Sequence, residues 1–287
     1  MHFLTYILCL PVIRLVSLLP YSISYFLSDI LCFFFYKILK YRLKTVQKNL
    51  KLVFPKKSHK ELKMIESKFY SHFTDITLES IMAYGMNKKQ MEERYKYKNI
   101  EVLLEMQKKN KNIILLCGHY SNFEWLLSIG YAIKGNGYGV YTPLSNKYFD
   151  NLFKKIRKKH EAYLISRYEI NNFMKDLDKN RFHLFGFAGD QSPRKVGKSY
   201  ITNFLGKKVP VFTGAERFSK ENKIDVVFAD VTREKRGYYK TTFTEIKNIK
   251  DSEYGITDNY LRLLENQIYR EPYQYLWSHN RFKHLIN

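Results

Sequence analysis

From about residue 95 onward, short apolar segments alternate with longer amphipathic ones, and this alternation constrains the fold more than any other feature. Short runs rich in β-branched and aromatic side chains predict strands, whereas apolar side chains at helical spacing predict helices. The alternating order favours an α/β fold, with a mostly parallel sheet flanked by helices. The predicted strands are 95–98, 113–117, 138–142, 162–166, 183–188, 225–230 and 239–246, and the predicted helices are 102–109, 123–133, 148–160, 170–178, 214–220 and 260–270.

The turn after the second predicted strand carries the main candidate for chemistry. The apolar run Ile113–Cys117 ends at Gly118, so His119 lies in a strand-to-helix turn and Glu124 lies in the first turn of the next helix. In α/β folds, ligands bind at the carboxyl ends of the strands. A carboxylate beside a histidine can fix the imidazole tautomer and leave the other nitrogen as a general base. The sequence therefore predicts a catalytic pair of His119 and Glu124.

Two structural interpretations of the same residues stay open. Ser121 and Glu124 have the spacing of a capping box, in which Glu124 would only bind backbone N–H groups. His119 could equally be a loop histidine without a chemical role. One His-x-x-x-x-Glu spacing does not decide between these interpretations and the catalytic one.

The turns after two later predicted strands supply candidate substrate-binding residues. Arg167 could bind a phosphate or carboxylate through its planar guanidinium, or could be a solvated surface arginine. Asp190 and Gln191 follow the strand at 183–188. Asp190 could bind a sugar or orient the site, or could simply form a turn before Pro193. The apolar segment 203–214 could line an acyl pocket or form a plain hairpin.

Residues 1–40 are the most apolar part of the chain. Arg14, Asp29 and two prolines interrupt this stretch before about 18 uncharged residues accumulate, which disfavours a simple transmembrane helix. A signal peptide is also disfavoured, because there is neither a basic start nor a small-residue cleavage site. We predict a pair of short helices lying in one membrane leaflet; the alternative is a helical pair packed on the domain. The predicted organisation is a membrane-associating helical segment at 1–45 and one catalytic domain at 46–287.

The charge balance predicts an anionic partner. Lys and Arg number 49 against 27 acidic residues, a formal net charge of +22. Nucleic acid, an anionic membrane surface, an acidic protein or a phosphorylated substrate would each fit such a surplus. Basic residues between 37 and 51 directly follow the apolar N-terminus, and this order favours a membrane, on its cytoplasmic side, over nucleic acid. The three cysteines match no zinc or disulfide spacing and indicate a reducing compartment.

Several segments together resemble the lysophospholipid acyltransferase superfamily and, within it, the late acyltransferases of lipid A biosynthesis (the lauroyl and myristoyl transferases). The resemblance covers nearly the whole chain. Glu124, where glycerol-phosphate acyltransferases commonly have Asp, favours the lipid A branch. Asn280 departs from the family, which usually has a basic residue beside Arg281, and this departure concerns the contacts to the acceptor. The segments are YRLKTVQKNLKLVFP (41–55), GHYSNFEW (118–125), YTPLSNKYFD (141–150), GDQSP (189–193), NFLGKKVPVFTG (203–214) and PYQYLWSHNRFK (272–283).

This resemblance implies a glycerolipid-acyltransferase-like fold and a specific reaction. His119 would be the general base on an acceptor hydroxyl, Glu124 would orient and charge-stabilise the imidazole, and Arg167, Asp190 and Gln191 would position substrate. The acyl donor would be a thioester on acyl carrier protein, and the acceptor a lipid A precursor at the cytoplasmic face of the bacterial inner (plasma) membrane. The resemblance implies no cofactor, no metal and no nucleic acid.

Two alternatives remain from the sequence. The first is an acyltransferase that acts on a lysophospholipid or an aminolipid. The second is a non-enzymatic basic protein that binds membranes or nucleic acid.

Overall fold

The computed structural model describes residues 2–178, 180–194, 197, 199–249 and 252–286. The strands within them are β1 (Tyr95–Tyr97), β2 (Ile113–Cys117), β3 (Asn136–Tyr141), β4 (Ala162–Ser166), β5 (His183–Ala188), β6 (Tyr200–Phe204), β7 (Lys207–Val211), β8 (Asp225–Lys235) and β9 (Tyr238–Glu245). The α-helices are α1 (His2–Leu18), α2 (Tyr21–Phe33), α3 (Leu43–Val53), α4 (His59–Met82), α5 (Lys88–Arg94), α6 (Glu101–Lys108), α7 (Lys147–Lys159), α8 (Ile170–Lys175), α9 (Gly214–Asn222) and α10 (Gly255–Arg270). A π-helical turn (Phe34–Ile38) and two 3₁₀ segments (Trp125–Tyr131 and Pro272–Gln274) complete them.

Seven strands form one sheet in the order β1-β9-β8-β2-β5-β3-β4. The five strands from β8 to β4 are mutually parallel, whereas β9 is antiparallel to β8 and pairs in parallel with β1. The predicted α/β class with a mostly parallel sheet is confirmed. The strands predicted at 113–117, 162–166 and 183–188 match the structure to the residue. β8 runs past its predicted end at 230, because its antiparallel pairing with β9 continues to Lys235.

The central position of β2 determines where a site can form. All five side chains of Ile113–Cys117 are buried, as expected for a strand covered on both faces. β2 pairs with β8 on one side and with β5 on the other, and Cys117 is in register with Ala188 at the end of β5. The chain segments that leave β2 and β5 therefore start next to each other at the carboxyl edge of the sheet.

The sheet separates two apolar cores. Because successive side chains of a strand point to opposite faces, Ile114 and Leu116 of β2 belong to one core, and Ile113 and Leu115 belong to the other. Helices cover both faces, as predicted. The first core takes side chains from α3, α4 and α10, and the second takes them from α5, α6 and α7.

The segment after β5, for which the sequence left two possibilities, contains a hairpin. β6 and β7 form a separate two-stranded antiparallel sheet, in which Phe204 pairs with Lys207. Leu205 and Gly206 between them both have positive φ angles (52° and 68°), the conformation that a tight two-residue hairpin turn requires. Of the two alternatives for 203–214, the hairpin is what the structure shows.

The helix predicted at 123–133 is instead a 3₁₀ segment, Trp125–Tyr131. Its start is set by Asn122, whose side-chain oxygen accepts the backbone N–H of Trp125 (3.0 Å). Near its end, Gly130 lies against the backbone of Glu161, and a Cβ there would come within 2.1 Å of the Glu161 carbonyl oxygen. Tight packing against the chain near β4 thus favours a short 3₁₀ segment over a full amphipathic helix.

The N-terminal region consists of two short apolar helices, as predicted, but much of their apolar surface is exposed. α2 packs on α4, and α1 contacts α4 and α7. Phe3, Leu8, Leu18 and Phe26 are all more than half exposed. Among the described residues, no single helix is both long and apolar enough to cross a membrane; Tyr21–Ile38 with Leu43–Val53 meets that criterion only as a pair bent by 86°. The association of this region with a membrane stays a prediction.

We expect Ile114→Ala to destabilise the whole fold, because Ile114 is fully buried in the central strand. The substitution should lower the free energy of unfolding by about 2–5 kcal/mol, measured by chemical denaturation. Ile201→Ala is the matched control, since Ile201 lies in the hairpin and is 38% exposed. Its expected cost is about 1 kcal/mol or less. Equal losses for the two variants would contradict the central role of β2.

Candidate active site

The turn that carries His119 is held by the C-terminal segment of the chain. The backbone N–H of Leu276 donates to the carbonyl of His119 (3.1 Å), and the N–H of Ser121 donates to the carbonyl of Gln274 (3.0 Å). Ser121 has a φ of 51°, a left-handed conformation that is strained for a non-glycine residue. These two hydrogen bonds hold the backbone of the turn in place and so fix the position of the His119 side chain.

Asp190, from the end of the neighbouring strand β5, is the hydrogen-bonding partner of His119. Its Oδ1 lies 2.7 Å from Nδ1 of His119, and each of its carboxylate oxygens accepts the backbone N–H of His119 at 3.2 Å. Asp190 is only 1% exposed. A short bond to an ionised acceptor is strong. It places a proton on Nδ1 and leaves the lone pair of the neutral imidazole on Nε2.

The pKa values of this pair shift in opposite directions. Burial lowers the pKa of His119, but the charge and hydrogen bond of Asp190 outweigh burial, with a smaller contribution from the charge of Glu124, so the net pKa is raised. Burial raises the pKa of Asp190, but the charge of His119, together with the hydrogen bonds from its ring and its backbone N–H, brings the net pKa below the usual range. The site therefore stabilises an imidazolium beside an ionised carboxylate. This arrangement is compatible with a histidine that takes up a proton as a general base.

Nε2 of His119 is the nitrogen available for chemistry. The side-chain amide nitrogen of Gln191 lies 3.2 Å from it and donates to its lone pair. The His119 side chain keeps 20% of its surface exposed, so the ring remains accessible. Gln191, predicted as a substrate-binding residue, thus lies within hydrogen-bond reach of the reactive nitrogen.

Glu124 does not make the contact that the sequence predicted for it. Its carboxylate forms an ion pair with Arg157 of α7, and its charge reaches His119 without a hydrogen bond between the two side chains. The contact predicted for Glu124, which fixes the imidazole tautomer, is made by Asp190. The reason is geometric: β5 is adjacent to β2, so Asp190, the second residue after β5, reaches Nδ1, whereas the Glu124 carboxylate pairs with Arg157 of α7. The capping-box alternative is not formed either, because Asn122 provides the cap of Trp125.

A largely apolar cavity of about 430 Å³ opens beside His119 and Glu124. Its volume lies within the range of small-molecule sites, about 300–1,000 Å³. The cavity walls come from α1, α4 and α7, and they include Ile13, Phe73, Ile76, Phe153 and Ile156. The arrangement places Nε2 of His119 beside an apolar space of a size that suits a hydrocarbon chain.

Arg167 is not brought to this site. It follows β4, which is separated from β2 by β5 and β3. Three strand spacings place it about 14 Å from the end of β2. Its side chain is exposed, with the guanidinium over the ring of Tyr168 (5.4 Å). Both alternatives for this residue therefore remain: a surface arginine, or a contact to a remote part of a large substrate.

Two residues of the site were not found from the sequence. Arg157 lies in a run of lysines, and its pairing with Glu124 depends on how α7 packs on the turn. The second is His279, whose Nε2 accepts the backbone N–H of Ser192 (3.1 Å) and so secures the segment with Asp190 and Gln191. Burial is the main cause that lowers the pKa of His279 to about 4, so this histidine is a neutral acceptor.

Within the described ranges, no cluster of three or more His, Cys, Asp or Glu side chains could hold a metal ion.

Comparison of the sequence with known proteins identifies one family. A family model described as "Bacterial lipid A biosynthesis acyltransferase" matches residues 1–284. The chain is 23% identical over 270 residues to the lipid A biosynthesis palmitoleoyltransferase of Escherichia coli (strain K12), covering 92% of this chain and 86% of the relative. It is 24% identical over 276 residues to the lipid A biosynthesis lauroyltransferase of the same organism, covering 95% and 89%. A lipid A biosynthesis acyltransferase of Shigella flexneri matches at 23% over 270 residues.

We expect Asp190→Asn to lower the pKa of His119 below the usual value for histidine. Without the negative charge, burial becomes the dominant influence on the imidazole. NMR titration of the His119 ring measures the change directly. Glu124→Gln is the matched control, since it removes a nearby charge but no hydrogen bond to the ring, and its effect should be in the same direction but smaller. A larger effect of Glu124→Gln would contradict the assignment of Asp190 as the partner.

Proposed function

The chain belongs to the bacterial lipid A biosynthesis acyltransferase family and is an acyltransferase, and we propose that it moves a fatty acyl chain from a thioester on acyl carrier protein to a hydroxyl of a lipid A precursor. The observation that carries the proposal is the position of His119, with Nε2 available as a base at the edge of an apolar cavity. Membership in an enzyme family excludes the non-enzymatic alternative.

The proposed chemistry needs one base and no covalent enzyme intermediate. Nε2 of His119 takes the proton from the acceptor hydroxyl while the oxygen attacks the thioester carbonyl, and a tetrahedral oxyanion forms. When it collapses, the carbon–sulfur bond breaks, and the proton on Nε2 passes to the leaving thiolate. Asp190 holds Nδ1 and stabilises the transient imidazolium. The new carbon–oxygen bond is the ester of the product.

Glu124 has a different role in this proposal from the one that the sequence predicted. Its ion pair with Arg157 holds the Glu124 side chain at the wall of the cavity, and its charge favours the protonated form of His119. The Gln191 side chain donates a hydrogen bond to Nε2, and in this proposal the incoming hydroxyl replaces it as the donor. A contact to Arg167 would involve a part of the acceptor far from that hydroxyl.

We further propose that the protein works at the cytoplasmic face of the bacterial inner membrane. The exposed apolar side chains of α1 and α2 suit the acyl region of one leaflet, and the basic residues between 37 and 51 suit anionic headgroups. The +22 charge also suits an acidic carrier protein and a phosphorylated acceptor. In this proposal residues 1–45 associate with the membrane, and residues 46–287 form the catalytic domain.

The direct test of function uses purified protein and radiolabelled acyl carrier protein thioesters. The label should transfer to a lipid A precursor in preference to lysophosphatidic acid. His119→Ala should lower turnover by about 10²- to 10⁴-fold, because a general base is lost. His59→Ala, which changes an exposed histidine at the start of α4, is the control and should retain activity. Preference for the glycerol lipid would support the rival acceptor, and near-normal turnover of folded His119→Ala would contradict the mechanism.

Membrane association should depend on the exposed apolar face of the N-terminal helices. Leu8→Glu and Phe26→Glu place charges at positions that are 66% and 67% exposed, so they should weaken binding to vesicles with anionic lipid without unfolding the protein. Ile201→Glu is the control, because it introduces the same charge at an exposed position of the β6–β7 hairpin, outside the N-terminal helices, and it should bind like the unaltered protein. Vesicle sedimentation measures the bound fraction. If all three variants sediment like the unaltered protein, the N-terminal helices are not the docking surface.

A further inference from the structure

Helix α4 carries a fully buried carboxylate, Glu79. It contacts the turn formed by residues 119–124, called the catalytic turn below, without contacting His119 itself. Its Oε2 accepts the side-chain amide N–H of Asn122 and the hydroxyl of Tyr239, each at 2.7 Å. Its backbone carbonyl accepts the indole N–H of Trp125 (3.1 Å). Glu79 therefore binds two residues of the segment that follows His119.

Asn122 transmits this contact to the backbone of the turn. It is completely buried, and its side-chain amide makes two different hydrogen bonds. The nitrogen donates to Glu79, while the oxygen accepts the N–H of Trp125 and starts the 3₁₀ segment. Glu79 thereby fixes which way the Asn122 amide faces. If that bond is lost, a buried donor is left without a partner, and the path of the chain between His119 and Glu124 is no longer determined.

The other oxygen of Glu79 reaches the N-terminal helices. Oε1 accepts the hydroxyl of Tyr25, which lies on α2 (2.9 Å). One turn earlier on α4, buried Asp75 accepts the hydroxyl of Ser28 of α2 (2.7 Å). Arg236 joins the same group, because it pairs with Asp75 and with Asp29 of α2, both at 2.6 Å. α2 is thus attached to α4 by polar contacts at the level of the catalytic turn.

We propose that Glu79 is a positioning residue that fixes the His119–Glu124 turn through Asn122 and couples it, through Tyr25, to the N-terminal helix α2. Buried polar groups of this kind specify one arrangement, because the fully paired arrangement is the only one without an orphaned donor or acceptor. Movement of α2 against α4 would change the contacts of Glu79 and would therefore shift the turn that Glu79 holds through Asn122. The proposal rests on acyl transfer at His119.

A reciprocal exchange tests the link between Glu79 and Asn122. Glu79→Gln should disturb the pairing of Asn122, and Asn122→Asp should place two carboxylates together. Each should lower kcat by about tenfold or more with little change in KM, since small displacements of reacting groups are costly. In the double variant, the new amide at position 79 donates to the new carboxylate at position 122, which can still cap Trp125. Burial raises the pKa of Glu79 to about 7, so the assay is run at pH 8, where its carboxylate is ionised.

Recovery of most of the lost kcat in the double variant is the expected result and would show that the bond positions the turn. If the two effects simply add, or if the single variants keep full kcat, the positioning role is wrong. A wild-type protein that transfers no acyl chain from any thioester would instead refute the proposed function, so the two failures are distinguishable.

Tyr25→Phe tests the coupling to α2 and does not depend on substitution of the buried carboxylate. It removes one hydroxyl that donates to a buried carboxylate, so kcat should fall by about fivefold, together with a modest fall in melting temperature that the control variant should share. Tyr36→Phe is the matched control, because Tyr36 also joins the N-terminal region to a buried glutamate of α4, Glu66 (2.8 Å), whose other partner is Lys63 and which among the described residues makes no bond to Asn122. Unchanged kcat in Tyr25→Phe, or an equal loss in Tyr36→Phe, would overturn the coupling.

Discussion

The hydrogen bond between His119 and Asp190 is the interaction on which the site depends. It joins the ends of two neighbouring parallel strands, β2 and β5, and both strands are fixed by buried side chains and by the register of the sheet. Because the bond places a proton on Nδ1, it decides which nitrogen of His119 can act as a base. The other parts of the site support this contact: the C-terminal segment holds the turn, and His279 holds the segment that carries Asp190.

Part of this arrangement follows from the sequence. The continuous apolar run at 113–117 predicts a strand covered on both faces, and a strand followed by a glycine predicts the turn in which His119 lies. The sequence also places Asp190 after a strand end. It does not give the order of the strands in the sheet, and that order makes Asp190 rather than Glu124 the partner of His119. For the same reason Arg167, also at a strand end, lies away from the site.

Other features depend on tertiary contacts that no local pattern reveals. The amphipathic pattern at 123–133 suggests a helix, but the Asn122 cap and the close approach of Gly130 to Glu161 leave only a 3₁₀ segment. Glu79 and Asp75 are acidic residues of a helix, a type that is seldom fully buried, yet both are fully buried here. Their partners come from residues about 50 positions earlier and about 160 positions later, so their function as a polar link between α2 and the turn is visible only in the fold.

The central claim is that acyl transfer takes place at Nε2 of His119, with the acyl chain in the apolar cavity between α1, α4 and α7. The most direct measurement is a crystal structure of the protein with a non-hydrolysable analogue of an acyl thioester. We predict that the chain lies in the cavity and that the carbonyl carbon is placed where a hydroxyl hydrogen-bonded to Nε2 could attack it, about 3–3.5 Å from the attacking oxygen. A chain bound outside the cavity, or a carbonyl group beyond the reach of such a hydroxyl, would contradict the account.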